Sequence, residues 1–508
     1  MVALTSLFSS VLAFVLVFVP IDDRPATAQF PRLLAQIAGV DVREPPASLL
    51  GNYLNAGDPT ALLHWLAAQP PDTQAFVVSN DMIAYGGLVA SRIPATSLAM
   101  AESRLAALAS VREHHSLAAF TVFGTVMRLA PTGVPALGPA ADFPFAGDVW
   151  PKIQKYANLP SPPQTAQQRE EAARLSRELG PQLDAYLSTR ARNLALDLDL
   201  LRDDARGAFD RVVLGQDDAG PVGLAIPDLD KLFAYADRAM PYGRWSIEPG
   251  TDELGMVYVA GAIVRQAGIV PRVRVIYSRP DGGVVQDPLE FAPIATTIRD
   301  VIRSSGGVEV PADAPADVDL YVNVPDTSDA QEATFADSIA ADPYRAAVAD
   351  LSFIHAPNLA IQRRLMNELI ARHVAGIVES FASWNTAANT VGTAIPEAFV
   401  VLAGKRMNKF DESAHTTFTY MRYVDDVLFQ KVVRPRLNAD LTKEGVADHT
   451  YLLPPVAARA EAENAALMRP LALDLLEKID PAYRATKLDI TLPWDRTFEE
   501  KLSVRLSP

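Results

Sequence analysis

The chain has 508 residues, 49% hydrophobic and 21% charged, with no cysteine. That composition excludes a disordered, collagen-like or disulfide-stapled protein, and it excludes cysteine catalysis and cysteine-ligated zinc. The formal charge of −15, from 61 acidic and 46 basic residues with no long basic run, argues against nucleic acid as a partner.

The first nineteen residues, MVALTSLFSSVLAFVLVFV, imitate a secretory leader, and Ala26-Thr27-Ala28 before Gln29 imitates its cleavage site. No Lys or Arg precedes the apolar run, however, and cleavage after Ala28 would discard Ile21-Asp22-Asp23-Arg24-Pro25. Pro20 and the three charges after Ile21 also stop the run near the minimum length of a membrane span. Val15 to Ile21 therefore reads as a buried first strand with a functional polar end. No membrane span is expected, and the cytoplasm is favoured over secretion.

Short runs rich in Val, Ile and Phe follow, each ending in polar residues and leading into a stretch of helical spacing, the pattern of βα units. The strand candidates are Phe14–Ile21, Ala75–Ser79, Ala119–Val126, Arg211–Gly215, Trp245–Ile247, Arg272–Tyr277, Asp319–Val324, Val348–Phe353 and Gly376–Phe381. Helices are expected at Gln29–Ala38, Thr60–Ala68, Leu98–Glu113, Ala166–Asp204, Asp228–Arg238, Asp252–Gln266, Phe291–Ser304 and Asn358–Ala371. The fold class this implies is α/β, a (β/α)8 TIM-like barrel over residues 1–395 with a mostly helical C-terminal region over 396–508 that ends in short strands. Residues 270–350 read either as barrel units or as a small α/β insertion. A doubly wound open sheet is the alternative, but the first strand ends in Pro-Ile-Asp-Asp-Arg-Pro instead of a Gly-rich phosphate loop. Residues 130–165 read as a long loop over the barrel mouth.

In such a barrel, side chains at the strand ends converge whatever their separation in sequence. Those ends carry Asp22 and Arg24, Asn80 and Asp81, Arg128, Asp217 and Asp218, Asp252 and Glu253, His355, and Trp384 with Asn385 and Asn389. In Val212-Val213-Leu214-Gly215-Gln216-Asp217-Asp218-Ala219-Gly220 a buried strand delivers two adjacent carboxylates into a Gly-rich turn, so that both can reach one ligand. Their repulsion raises one pKa, which leaves one group protonated to donate and the other ionised. The plain structural reading is that either Asp caps the turn into the next helix. Thr251 before Asp252 and Glu253 equally fits an N-cap. Trp384 beside amides four residues apart suits a sugar, the ring covering an apolar face and Asn supplying donor and acceptor, although a helix start with Asn389 on its inner face is the alternative. The seven His residues, His64, His114, His115, His355, His373, His415 and His449, have no paired metal spacing. No metal or cofactor is expected, and neither a nucleophile elbow nor a P-loop is present.

Pro20-Ile21-Asp22-Asp23-Arg24-Pro25, Ser79-Asn80-Asp81-Met82, Tyr85-Gly86-Gly87-Leu88 with Ser91-Arg92, Met127-Arg128, Gln216-Asp217-Asp218-Ala219, Gly250-Thr251-Asp252-Glu253 and Trp384-Asn385-Thr386 with Asn389-Thr390 and Gly392 resemble an uncharacterised bacterial family, domain of unknown function 4127. That likeness runs most strongly over about residues 14–400 and implies no activity. Asp217-Asp218 and Trp384 to Asn389 are also similar to the Asp-Asp pair and late Trp-Asp-Asn segment of O-GlcNAcase-type β-N-acetylglucosaminidases, glycoside hydrolase family 84. Those enzymes are (β/α)8 barrels that use the substrate's acetamido oxygen as nucleophile. The late Asp of that family is Asn385 here, and the Tyr flanking its acetamido group has no clear match.

The likeness implies an exo-acting glycoside hydrolase with a carbohydrate substrate, in which Asp217 polarises the acetamido N–H and Asp218 is the acid and base. Asp22, Asn80, Asp81, Asn385 and Asn389 would hold hydroxyls, with Trp384 as floor, and Arg24 and Arg128 would orient the acids or meet an acidic substituent. A two-carboxylate variant would pair Asp217 or Asp218 with Asp252 or Glu253 across the mouth. A metal-dependent hydrolase of an ester, amide or phosphate, and a non-catalytic sugar-binding protein, are the rival readings.

Overall fold

The structure, a computed structural model, describes residues 14–241, 243–354 and 361–508. The leader-like residues before Phe14, and His355, lie outside the described residues. Six strands form a wholly parallel sheet in the order β2-β1-β3-β4-β5-β6: β1 (Leu16–Val19), β2 (Val42–Arg43), β3 (Ala75–Ser79), β4 (Ala119–Val126), β5 (Arg211–Gln216) and β6 (Trp245–Pro249). A second parallel sheet, ordered β11-β10-β9-β7-β8, contains β7 (Arg272–Tyr277), β8 (Val308–Glu309), β9 (Val318–Asn323), β10 (Ala346–Asp350) and β11 (Ser380–Ala382). An antiparallel hairpin of β12 (Arg484–Thr491) and β13 (Lys501–Ser507) ends the chain.

Every strand expected from the apolar runs has a counterpart, but among the described residues the strands form two open sheets and no closed barrel. The physical reason lies in the link from β6 to β7. Its helix, Leu254–Ala267, is buried on nearly all sides and packs against the helix Ala387–Met407, where a barrel helix would keep one face in water. One core joins these helices to Leu16 and Phe18 of β1 and to Leu320 and Val322 of β9, so it lies between the sheets. Val17 and Val19 point the other way into a second core, with Leu62, Leu105 and Leu200. A third core covers the far face of the second sheet, where Tyr321, Val348 and Phe381 meet the C-terminal helices. The period-two alternation of each strand thus serves two different helical layers.

The expected helix over Ala166–Asp204 is two helices, Ala166–Leu179 and Pro181–Ala205, broken at Gly180, whose φ of 49° places it in the left-handed region that favours glycine. The expected loop over 130–165 contains a helix at Val149–Ala157. The helix Ala387–Met407 runs through position 395. Among the described residues it is the one helix long and apolar enough to cross a membrane, and 94% of its apolar window is buried inside the protein.

Candidate active site

In the first sheet the chain passes from β1 to β2 on one side and from β3 to β4 on the other, so the strand order reverses between β1 and β3. In open α/β sheets the crevice outside the carboxyl ends of the strands at such a reversal is where ligands bind. A cavity of about 280 Å³ lies there. Arg24 after β1, Arg128 after β4, Gln216, Asp217 and Asp218 at the end of β5, and Thr251 and Asp252 after β6 line it. Asn385 and Asn389 close it from the second sheet, and Trp494 and Arg496 from the turn between β12 and β13.

Each of the three aspartates on this wall faces an arginine. Arg24 donates from Nη1 and Nη2 to Asp252 at 3.0 and 2.7 Å, and from Nε to Asp22 at 3.0 and 2.9 Å. Arg92 holds Asp217, and Arg128 reaches Asp218 Oδ2 at 3.0 Å. The Asp218 side chain is 35% exposed against 8% for Asp217, which makes Asp218 the more accessible of the two, although both line the cavity. Burial and the adjacent Asp217 charge push the Asp218 carboxyl above the ordinary aspartate range, against the pull of Arg128 and Arg92. At Asp252 burial works in the same direction, but Arg24, Arg92 and Arg496 together outweigh it and hold the group below that range. One wall therefore offers a carboxyl shifted towards holding its proton and another shifted towards losing it, the direction of division that acid–base chemistry uses. Neither Asp217 nor Asp218 caps a helix, since the next one, Ala225–Ala239, has Leu224 at its N-cap and no side-chain cap.

Glu253 lies beneath the cavity. Asn389 Nδ2 donates to its Oε2 at 2.6 Å, Oε1 has no hydrogen-bond partner among the described residues, and burial drives its pKa well upward. Two motif glycines make room for it. A Cβ on Gly250, at φ 87°, would sit 2.0 Å from Glu253 Oε1, and one on Gly392 would sit 2.3 Å from its Cγ. Asn80 and Asp81 are also buried below the cavity, in the first turn after Ser79, whose hydroxyl caps the helix Asn80–Tyr85. Burial pushes Asp81 up to about 7, helped by the Asp217 charge and opposed by Thr125, Ser91 and Arg92. Thr386 caps the helix Ala387–Met407, and Asn389 lies in its first turn. Asn385 adopts a left-handed φ of 52°, which Asn tolerates better than most residues, and donates to Asn389 Oδ1 at 2.6 Å.

Trp384 does not line this cavity. Its indole is buried, with Nε1 on Thr393 Oγ1 at 3.0 Å, and it borders a neighbouring cavity. The aromatics at the first cavity are Phe498 and Trp494, the latter stacked on Tyr53 at 4.9 Å and donating from Nε1 to Asp23 Oδ1 at 2.8 Å. Arg92, Glu290, Trp494 and Arg496 are lining residues that strand-end reasoning does not reach. The signals were an arginine closing the Ser91-Arg92 motif and a Trp-Asp-Arg turn between two strand-like alternations. Glu290 comes from the loop after β7, where its carboxylate accepts from the Ala388 N–H and from Thr297 Oγ1, and burial with the Asp287 charge pushes it up to about 8. Among the described residues no group of three or more His, Asp or Glu is arranged to hold a metal ion.

Fold and site together define a mixed α/β protein of parallel sheets whose strand ends frame a cavity of paired charges. The chain belongs to the family described as protein of unknown function (DUF4127), which it matches over residues 16–503. No curated protein and no solved structure matches it. Two open sheets give no support to the likeness to glycoside hydrolase family 84, whose enzymes are closed barrels.

Proposed function

We propose that the protein is a glycoside hydrolase that works by acid–base catalysis in the first cavity, with Asp218 as the proton donor. The observation that carries this reading is the split between Asp218, reachable and raised in pKa, and Asp252, held ionised by Arg24. Asp218 gives its proton to the departing glycosidic oxygen and, once ionised, takes one from the incoming water. Asp217, fixed by Arg92, orients the substrate. In the substrate-assisted form, Asp217 accepts the acetamido N–H of a 2-acetamido sugar while the sugar's own carbonyl oxygen attacks the anomeric carbon, an exception to the two-carboxylate scheme. The volume is near the lower end of small-molecule sites, roughly 300–1,000 Å³, and suits one sugar ring. Trp494 and the amides of Asn385 and Asn389 supply an apolar edge and hydroxyl partners. The arginine on each lining aspartate competes with a divalent cation for the same oxygens, which weakens the metal-dependent alternative.

A panel of aryl glycosides, including GlcNAc and GalNAc in both anomers, tests this with and without chelator. Asp218→Asn should lose most turnover of poor leaving groups and keep more on activated ones, which need less protonation. No turnover of any glycoside, or equal small losses on both leaving groups, overturns the proposal.

A further inference from the structure

A second cavity, of about 340 Å³, meets the first at Arg24, Asp252, Asn385 and Phe498, which line both. Its charges are arranged differently. In the first cavity all four lining arginines sit on carboxylates: Arg24 on Asp252, Arg92 on Asp217, Arg128 on Asp218 and Arg496 on Glu499. In the second, the carboxylates are taken while two cations are left over. Asp252 belongs to Arg24, Asp425 accepts from Arg422 at 3.2 Å, and Glu499 accepts both arms of Arg496. Glu500 is buried, takes one hydrogen bond from Asn464, and is pushed well above the ordinary range by burial and the Asp425 charge.

The cations are Lys431 and Arg434, one turn apart on the helical run that follows Arg422. Lys431 is 4% exposed; its Nζ donates to the Ser383 hydroxyl and lies 5.1 Å from the centre of the Phe353 ring. Arg434 donates from Nη1 to Gln430 Oε1 at 2.7 Å and lies over Phe498 at 4.5 Å. Among the described residues neither has a carboxylate within ion-pair distance. Burial pushes Lys431 down while Asp350 and Asp426 draw it back from further off, and burial pushes Arg434 down to about 10 while Glu499, paired with Arg496, draws it back. Asp426 is bound to Arg422 and the Ser383 N–H, and Asp350 to Asn323 and the Ser352 N–H. Two cations facing a cavity select an anion, and the aspartates behind them favour a single negative charge over a double one.

We propose that the second cavity binds a carboxylate carried by the substrate, so that the enzyme's natural substrate is an acidic sugar whose ring occupies the first cavity and whose carboxylate contacts Lys431 and Arg434. This rests on the reading of the first cavity as the sugar site. It extends that reading from sugars in general to one class of them.

The test is equilibrium binding to the full-length protein of matched pairs: D-glucuronate with D-glucose, D-galacturonate with D-galactose, and N-acetylmuramate with N-acetylglucosamine. At least one acid should bind ten-fold or more tightly than its neutral parent, and Arg434→Gln and Lys431→Met should each remove most of that preference while leaving neutral-sugar binding unchanged. Should a variant fail to fold, Arg434→Lys and the wild-type acid-to-neutral ratio decide alone. Equal binding within every pair, a preference that survives both substitutions, or inorganic phosphate competing better than the sugar acids overturns the proposal. Turnover of neutral glycosides without any preference for acids would defeat this inference and leave the hydrolase reading standing; acid binding without turnover of any glycoside would do the reverse.

Discussion

At the ends of β5 and β6 the carboxylates stand against arginines with one side open to a cavity, whereas at the ends of β9 and β10 the polar groups are buried, partly bonded to one another, and line neither of the two cavities. Asn323 donates to Asp350 at 3.0 Å, Asp350 accepts the Ser352 N–H, and Arg364 takes up Glu332 and the Thr327 carbonyl. Yet both sheets are wound alike. Numbered within each sheet, both begin second, first, third, fourth, fifth, so both reverse direction between their first and third strands. The shared winding gives each sheet a crevice. What separates them is whether the carboxylates there face a cavity or are closed off from one.

The largest effect that would sharpen this contrast is catalytic. Asp218→Asn should lower kcat on unactivated glycosides by about 10²–10⁴-fold, the usual worth of a general acid, while Asp350→Asn, at the end of the second sheet's fourth strand, should leave kcat within a few-fold and show itself in thermal melts. Next comes the buried pair. Arg92→Met leaves Asp217 buried without its counter-ion and should cost about 3–5 kcal/mol in denaturant titration. A third measurement uses pH on the second sheet's side. Glu397, in the helix behind β11, is pushed up to about 8 by burial, although Thr419, the Phe381 N–H and Arg422 oppose it. Because its folded pKa exceeds the unfolded value of about 4.3, the stability it contributes is full below that value and is lost as pH rises towards 8. Tm should fall over that window, and Glu397→Gln should flatten the slope. The smallest effect is expected of Arg128→Gln. Its partner is one-third exposed, so the loss should be below about 1 kcal/mol, with Asp218 titrating at a higher pH and the basic limb of the activity profile moving up. A destabilisation by Arg128→Gln as large as that of Arg92→Met would erase the distinction between the open and the enclosed pair.

Much of the site was legible because a buried parallel strand must be apolar throughout and must end where polarity resumes. Asp22, Asp217, Asp218 and Asp252 follow from that rule alone. The closure of the sheets did not follow, because βα repetition is common to barrels and open sheets. The decision rests with the helix Leu254–Ala267, whose uniformly apolar surface places it between sheets. Glu253 was grouped with Asp252 by adjacency, but a strand end turning into a helix sends the two in different directions, one into the cavity and one under it. The edge strands β2 and β8 have two residues each, too few to show any period. Trp494 and Arg496 come from a turn, where no periodicity marks a residue as facing inward.

The bond from Trp494 to Asp23 joins positions 471 residues apart, and Gln29 Nε2 reaches the Leu502 carbonyl at 2.6 Å nearby. Segments far apart in the sequence thus meet beside the same pocket. On the ribosome, the first sheet can be assembled long before residue 494 leaves the exit tunnel, but the pocket's aromatic wall cannot. Newly made protein should gain its ligand-binding ability only once that turn has emerged, as a late and slow step governed by that long-range encounter.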